Sequence, residues 1–206
     1  MGIDDYNGGA ALAMLGDGCI CVASDKRIGS NSLKTVEMNY EKCFEITPHT
    51  YLACCGLATD VETLYKTIRF HKNLFHLREE REMKPRAVAS FVGNQLYQRR
   101  FSPWFASPIV AGVDAETGEP YAESFDFIGG LENIEDFGVV GTATEQIMGA
   151  CEAHWRPNLK PEELAECAAT CLLAGVERDC YSGWGAVVHV VTKDRVITRH
   201  IESRMD

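Results

Sequence analysis

Six residues of types that take part in hydrolytic chemistry lie where apolar segments of the sequence begin or end. They are Asp25, Lys42, Gly56, Thr142, Asp179 and Ser182. A lysine beside a carboxylate can transfer protons when burial lowers its pKa, and a glycine N–H at a strand end can stabilise an oxyanion. The same residue types also form an ordinary ion pair at the end of a sheet with polar turns around it. Their spacing alone does not decide between a catalytic and a structural interpretation.

The pair Gly8-Gly9 stands directly before an apolar run that begins at Ala10. Adjacent glycines are typical of a flexible turn. They are also found where another group approaches the backbone closely, or where a glycine has replaced a larger residue. The pair alone fits each of these interpretations.

The apolar runs around these residues predict the elements that must position them. Strands are predicted in AALAML and CICVAS, in KCFEI and TYLACCG, in PIVAGVD, PYAESFDFIGG and FGVVG, and in a closing hairpin around Lys193-Asp194. Helical spacing predicts helices over residues 59–77, from Pro85, in TATEQIMGACEAHW and in KPEELAECAATCLLAGVERD. Thr59 or Asp60 is the expected cap of the first helix, and Thr142 with Glu145 forms an expected capping box before the third.

The order of these elements is strands, two helices, strands, two helices and two strands, without strict βαβ alternation. Segregated strands and helices predict antiparallel sheets covered by helix layers, an α+β sandwich. No linker, repeat or low-complexity tract divides the chain, so residues 1–206 are expected to form one domain.

The composition excludes several classes of function. The chain has 206 residues and a formal net charge of −10, which argues against nucleic acid or an anionic membrane as its main partner. No apolar stretch approaches the length of a membrane helix, and the N-terminus lacks the pattern of a secretory signal. Most of the nine cysteines lie in apolar segments without CxxC spacing, which predicts reduced core residues and an intracellular protein.

Five short motifs in order resemble the β-type subunits of the proteasome core, members of the N-terminal-nucleophile hydrolase superfamily. The motifs are VASDKR, KCFEI, CCGLATD, VVGTAT and RDCYSGWG. The resemblance implies a four-layer αββα sandwich, with two antiparallel sheets packed between helix layers. It also implies that Asp25 and Lys42 match the aspartate and lysine of the family's active site. By the same resemblance Gly56 supplies the oxyanion N–H, and Thr142, Asp179 and Ser182 complete the site.

The chain departs from the family's catalytic pattern at its start. Catalytic members attack peptide carbonyls with the hydroxyl of a threonine that is exposed by a cut after a glycine. Counting back from Asp25 at the family's spacing puts Gly9 at the nucleophile position and Gly8 before the cut. Glycine has no hydroxyl, so neither peptide attack nor removal of a leader, residues 1–8, is expected.

The resemblance therefore implies a non-catalytic subunit, and the ending ESRMD fits that class. Its expected partners are the other α and β subunits of four stacked seven-membered rings, and its expected location is the cytoplasm and nucleus. No metal or cofactor is expected. Asp114 and Asp126, taken as acids on the central strands, are expected to help line the trypsin-like site of a neighbouring subunit.

Two other classes of function stay open from the sequence. One is an active hydrolase with a different nucleophile, for which Ser182 is the nearest candidate although no histidine stands beside it. The other is a standalone binding module unrelated to the proteasome.

Overall fold

The structure is a computed structural model that describes residues 2–3, 5–31 and 33–203. Met1 and Asp4 of the expected leader and the last three residues of the ESRMD ending lie outside the described residues. The strands of the first half are β1 (Ala10–Leu15), β2 (Cys19–Asp25), β3 (Ile28–Ser30), β4 (Lys34–Glu37), β5 (Cys43–Thr47) and β6 (Thr50–Gly56). Those of the second half are β7 (Ala106–Val113), β8 (Pro120–Phe125), β9 (Leu131–Ile134), β10 (Phe137–Gly141), β11 (Ala186–Thr192) and β12 (Val196–Ile201). The helices are α1 (Ala58–Glu79), α2 (Pro85–Gln98), α3 (Thr144–His154) and α4 (Pro161–Val176).

Ten of the strands form two antiparallel sheets that pack face to face between two pairs of helices. The first sheet has the order β10-β1-β2-β11-β12 and the second has the order β5-β6-β7-β8-β9. Helices α3 and α4 cover the first sheet, and α1 and α2 cover the second. The expected α+β sandwich of four αββα layers is confirmed.

The central strands are buried on both faces, which explains why they read as continuous apolar runs. In β1, Leu12 and Met14 face the α3–α4 layer, while Ala11 and Ala13 face the second sheet. The small alanines on the inner face let the two sheets approach closely. Seven of the nine cysteines are buried in these layers, as core packing predicts, whereas Cys180 is exposed.

A histidine side chain lies between the sheets. His189 of β11 stacks on the ring of Tyr51 in β6 with centroids 4.8 Å apart, and its Nδ1 lies 2.9 Å from Thr198 Oγ1. Burial lowers the pKa of His189 to about 4, with a smaller contribution from His200. The ring is therefore neutral at pH 7 and adds no charge to the inter-sheet core.

Three short strands differ from the prediction. The segment after Asp25, expected as a polar connection, forms the β3–β4 hairpin, and Leu131–Ile134 adds the edge strand β9. All three are short and largely polar, so they carry little of the apolar signal that marks a buried strand.

The expected helix caps are also wrong. Helix α1 begins after Leu57 and α3 begins after Ala143, and neither of these residues makes a side-chain capping bond. Asp60 instead accepts the backbone N–H of Phe105, at 2.9 Å. Within the part of the chain that the structure describes, no helix is both long and apolar enough to cross a membrane.

Candidate functional site

The antiparallel order brings six strand ends to one end of the sandwich. Strands β2, β6 and β10 finish there, and β1, β5 and β11 begin there. The six residues proposed from the sequence precede, end or follow these strands, with Asp179 and Ser182 in the turn before β11. The topology thus places residues that are up to 157 positions apart in the sequence at the same end of the molecule.

A buried ion pair joins the two sheets at this end. Lys42 Nζ, at the start of β5, lies 2.7 Å from Asp25 Oδ1, at the end of β2. The side chains are only 4% and 0% exposed, so water cannot screen either charge. The lysine also donates to the carbonyl of Arg27 at 2.5 Å, which supplies a second acceptor for the ammonium group.

The Asp25 carboxylate has backbone donors on both of its oxygens. Oδ1 accepts the N–H of Ala10 at 2.9 Å, in addition to Lys42. Oδ2 accepts the N–H of Arg27 at 3.2 Å and that of Gly183 at 3.0 Å. Since these donors belong to β1, to the segment after β2 and to the turn before β11, one carboxylate fixes three chain segments.

Arg27 extends this network, although the sequence reasoning did not single it out. Its Nη1 donates to the carbonyl of Tyr181 at 2.7 Å, and its Nε donates to Thr35 Oγ1 of β4 at 3.1 Å. The sequence signal that could have found Arg27 is its position two residues after Asp25. Arg27 therefore attaches both the β3–β4 hairpin and the 179–185 turn to the ion pair.

A second hydrogen-bonded cluster centres on Asp179. Its Oδ2 accepts the hydroxyls of Thr142 and Ser182, both at 2.6 Å, and its Oδ1 accepts the N–H of Tyr181 at 3.1 Å. Thr142 is therefore not the helix cap that the sequence predicted, because its hydroxyl is bonded to Asp179. The backbone N–H of Thr142 donates to the carbonyl of Gly9 at 2.9 Å, so this cluster also holds the start of β1.

Gly9 lies between the two clusters in a backbone conformation that few other residues adopt. Its φ is +135°, and Gly8 before it has a φ of +68°. A β-carbon at Gly9 would lie 2.5 Å from Cε of Lys42 and 3.2 Å from its Nζ. A β-carbon at Gly8 would clash with the carbonyl oxygen of Tyr181. A side chain at position 9 would therefore require the end of the Lys42 side chain to move.

Gly56 faces Gly9 across a small cavity of about 90 Å³. Thr142 and Ser107 line it as well, together with Cys55 and Asp5. Burial raises the pKa of the Cys55 thiol well above its ordinary value. The nearby charge of Lys42 lowers this pKa, but its effect is smaller than that of burial. The Cys55 thiol therefore stays protonated at neutral pH.

The N-terminal segment is tied to the body of the protein through Asn7. Its side-chain Nδ2 donates to the carbonyl of Gly29 at 2.8 Å, and its Oδ1 accepts the N–H of Ala58 at 2.9 Å. Ala58 is the first residue of α1, so Asn7 satisfies a donor at the start of that helix. No local sequence signal could have found this contact, because its partners lie 22 and 51 residues away.

Asp114 and Asp126 are not brought together. Each follows a strand, β7 and β8 respectively, rather than lying on it. Because β7 and β8 are antiparallel, Asp126 lies at the site end and Asp114 at the far end, about 23 Å along β7 from Ser107. Asp114 pairs with Lys84 at 3.3 Å, whereas the exposed Asp126 accepts backbone N–H groups of its own turn.

The chemistry of the site follows from these contacts. The ion pair, the polar cluster and the cavity are present, but no hydroxyl projects from position 9. The Ser182 hydroxyl is buried and bonded to a carboxylate, with no histidine among its hydrogen-bond partners in the described residues. The carboxylates, the lysine and the hydroxyls at this end of the sandwich are therefore bonded to one another.

Comparison with known proteins identifies the class to which this fold and site belong. The family described as "Proteasome subunit" matches residues 6–191, so the chain belongs to the proteasome subunit family. This confirms the family that the sequence motifs indicated.

Several curated relatives of this chain are beta type-3 subunits of the proteasome. The chain is 46% identical over 206 residues to the probable proteasome subunit beta type-3 of Schizosaccharomyces pombe, and the match covers 100% of both chains. It is 44% identical over 206 residues to the proteasome subunit beta type-3 of Picea mariana, again covering 100% of both. The corresponding beta type-3 protein of Saccharomyces cerevisiae is 44% identical over 200 residues, which is 97% of each chain.

The buried ion pair leads to a prediction about stability. Lys42→Met keeps most of the side-chain volume but leaves the Asp25 carboxylate buried without its counter-charge. Removing one partner of a buried pair costs about 3–5 kcal/mol, and we expect that loss in the free energy of unfolding. Urea unfolding of the purified chain, followed by tryptophan fluorescence, measures it.

Lys66→Met is the matched control, since Lys66 forms an exposed i,i+4 pair with Glu62 on α1. Its unfolding midpoint is expected to stay at the value of the unsubstituted chain, because exposed pairs contribute little. Equal midpoints for the two variants would show that the Asp25–Lys42 pair does not hold the sheets together.

Proposed function

We propose that this chain is a non-catalytic structural subunit of the proteasome core particle. In this role it completes a β-ring and walls the chamber in which other subunits degrade proteins delivered by the ATP- and ubiquitin-dependent pathway. Its neighbours are the other α and β subunits of four stacked seven-membered rings, with an α-ring on one side and the second β-ring on the other. Its location follows that of the particle, the cytoplasm and nucleus.

One observation carries the non-catalytic part of this proposal: residue 9 is a glycine and so offers no hydroxyl beside Lys42. Attack on a peptide needs a hydroxyl at this position with the lysine next to it. Here the lysine instead donates to Asp25 and to the carbonyl of Arg27. The residues that support catalysis elsewhere in the family have a structural role in this chain.

The same geometry supports retention of the residues before Gly9. Without a nucleophile the chain cannot cleave itself after Gly8. Asn7 in addition bonds to Gly29 and to Ala58, so removal of the segment costs both contacts. We therefore propose that residues 1–8 stay attached in the assembled subunit.

The alternative of a hydrolase with another nucleophile has little support. Ser182 lies 2.6 Å from Asp179 and is 7% exposed, so a substrate carbonyl cannot reach its hydroxyl without rearrangement of the turn. An activity-based probe for serine and threonine hydrolases tests this alternative, and labelling of Ser182 would favour it. The alternative of an unrelated binding module is disfavoured by membership of the family.

We further propose that an acidic residue of this chain helps line the trypsin-like site of a neighbouring subunit. Asp114 and Asp126 lie at opposite ends of the second sheet, so they cannot face the same pocket. Asp126 is the better candidate, because it is exposed at the end where the cavities around Ser107 open. A carboxylate there attracts the basic side chains of peptide substrates.

Replacement of Asp126 by asparagine tests this contribution. The assembled particle is expected to cleave after basic residues with a KM raised by about two- to five-fold and with kcat little changed, because a charge that aids binding is lost. Cleavage after apolar residues is the internal control, and Asp114→Asn is the matched control at the far end. Unchanged kinetics for basic substrates would show that Asp126 does not contribute to the neighbouring site.

The structural role is tested by purifying the chain, tagged at its C-terminus, at native mass. We expect it in a particle that contains other proteasome α and β subunits, because an isolated member of a closed ring leaves its contact surfaces exposed. Mass spectrometry identifies the co-purifying chains and the N-terminus. Recovery of a monomer from cells with intact proteasomes would contradict the proposed function.

A further inference from the structure

A cavity of about 310 Å³ lies at the end of the second sheet opposite the polar cluster around Asp25. Three segments bound this far cavity: the 47–50 turn between β5 and β6, the 81–85 connection between α1 and α2, and residues 113–116 at the end of β7. The pairing of Thr50 with Gly112 places them at the same end of the sheet. The far cavity is therefore separate from the candidate site described above.

Two buried polar groups in the lining of the far cavity have no hydrogen-bond partner among the described residues. Thr50 is 0% exposed, and its Oγ1 makes no hydrogen bond. Nδ1 of the adjacent His49 is also buried and unpartnered. A buried polar group without a partner loses its bonds to water and gains nothing in return, which is rare in folded proteins. Two such groups in adjacent residues can both be satisfied by one molecule that bonds to each of them.

The remaining lining of the far cavity is mainly apolar. Pro48, Met83 and Pro85 each contribute to it. Apolar walls with a few polar groups are typical of sites that bind small molecules. An apolar cavity of about 150 Å³ holds one benzene ring, so the far cavity has room for a substituted ring.

The charged side chains of the lining already have partners of opposite charge. They are Arg81, Glu82, Lys84, Asp114 and Glu116. Lys84 pairs with both Asp114 and Glu116. Glu82 pairs with Lys72, and Arg81 pairs with Glu79. An occupant therefore needs no net charge, and a charged one would lack a free counter-charge in the lining.

A primary carboxamide matches the two unpartnered groups. The Thr50 hydroxyl can donate or accept a hydrogen bond, and Nδ1 of His49 does one or the other according to its tautomer. A carboxamide carries N–H donors and a carbonyl acceptor on a single carbon. It can therefore bond to Thr50 and His49 at the same time, whichever tautomer the ring adopts.

We propose that the far cavity is a binding site for a small, uncharged carboxamide with an apolar ring. The amide bonds to Thr50 and His49, and the ring packs against Met83 and Pro85. Binding connects the 47–50 turn to the segment that joins α1 and α2. The site requires no other subunit, so this inference goes beyond the proposed function and does not depend on it.

Photolabelling tests the site. A diazirine-substituted benzamide is irradiated with the tagged full-length chain, in the assembly in which it is purified, and mass spectrometry identifies the labelled residues. We expect saturable labelling within residues 47–50, 81–85 or 113–116. Benzamide is expected to compete at about 1 mM, a weak affinity that suits a ligand of this size. N,N-dimethylbenzamide has no N–H donor, so we expect it to compete about five-fold less well.

Thr50→Val removes the hydroxyl and keeps the branched shape of the side chain. Labelling is expected to fall about ten-fold, while the midpoint of thermal unfolding does not fall, because the hydroxyl that is lost had no partner in the chain. Thr67→Val is the matched control. Its hydroxyl is bonded to the carbonyl of Thr63 on α1, away from the cavity lining, and labelling is expected to stay unchanged.

Several results would overturn the proposal. Labelling that does not saturate, or that spreads over the whole chain, would leave water as the occupant of the cavity. Equal labelling of Thr50→Val and the unsubstituted chain would contradict the role of the hydroxyl. Equal competition by the two benzamides would contradict the role of the amide N–H, and this comparison needs no substituted chain. Specific labelling of a chain recovered alone would support the site even though the proposed ring role had failed.

Discussion

The contact between Asp25 and Lys42 is the interaction on which the rest of this end of the molecule depends. It joins the two sheets through charges that water does not reach. A carboxylate buried in this way is stable only if donors surround it, and the strand ends supply three backbone N–H groups for that purpose. The positions of β1, of the segment after β2 and of the turn before β11 therefore follow from one buried charge.

The same constraint gives the polar residues at this end of the molecule a structural role that does not depend on catalysis. Asp25 and Lys42 are needed for the junction between the sheets, and Asp179 with Thr142 holds the carbonyl of Gly9 beside them. Substitution of any one of these groups leaves a buried partner unsatisfied, whatever the chain does chemically. Position 9 is different. The end of the Lys42 side chain lies where a side chain at position 9 would begin, and glycine readily adopts the positive φ found there.

Sequence patterns predicted the elements that bury apolar side chains, such as β2 and α4, because their spacing reports the face on which they pack. They missed the β3–β4 hairpin, whose strands are only three and four residues long and carry few apolar side chains. The caps at Asp60 and Thr142 were wrong for a different reason, since their side chains bond to Phe105 and Asp179 instead. Thr59 lies inside α1, which begins one residue before it. Asn7 reaches the start of α1 from the other side of the site, and such a contact is set by the folded topology alone.

The candidate site was predicted by resemblance, since five motifs located Asp25, Lys42, Gly56, Thr142, Asp179 and Ser182 before any geometry was known. The resemblance also implied that Gly9 stands at the family's nucleophile position, which stays a prediction. It could not show that the backbone there has a φ of +135°, or that Lys42 occupies the neighbouring space. Both features follow from the way the folded chain brings Lys42 beside the start of β1.

The most direct measurement is therefore the reactivity of Gly9→Thr in the assembled particle. A threonine at this position must change its φ and displace Lys42 from the acceptors that hold it, at Asp25 and Arg27. We predict that a threonine-directed activity probe does not label the substituted chain and that its N-terminal segment remains attached in the mass spectrum. Cleavage after Gly8 with labelling of the new threonine would contradict this account, because it would show that the missing hydroxyl was the only obstacle to catalysis.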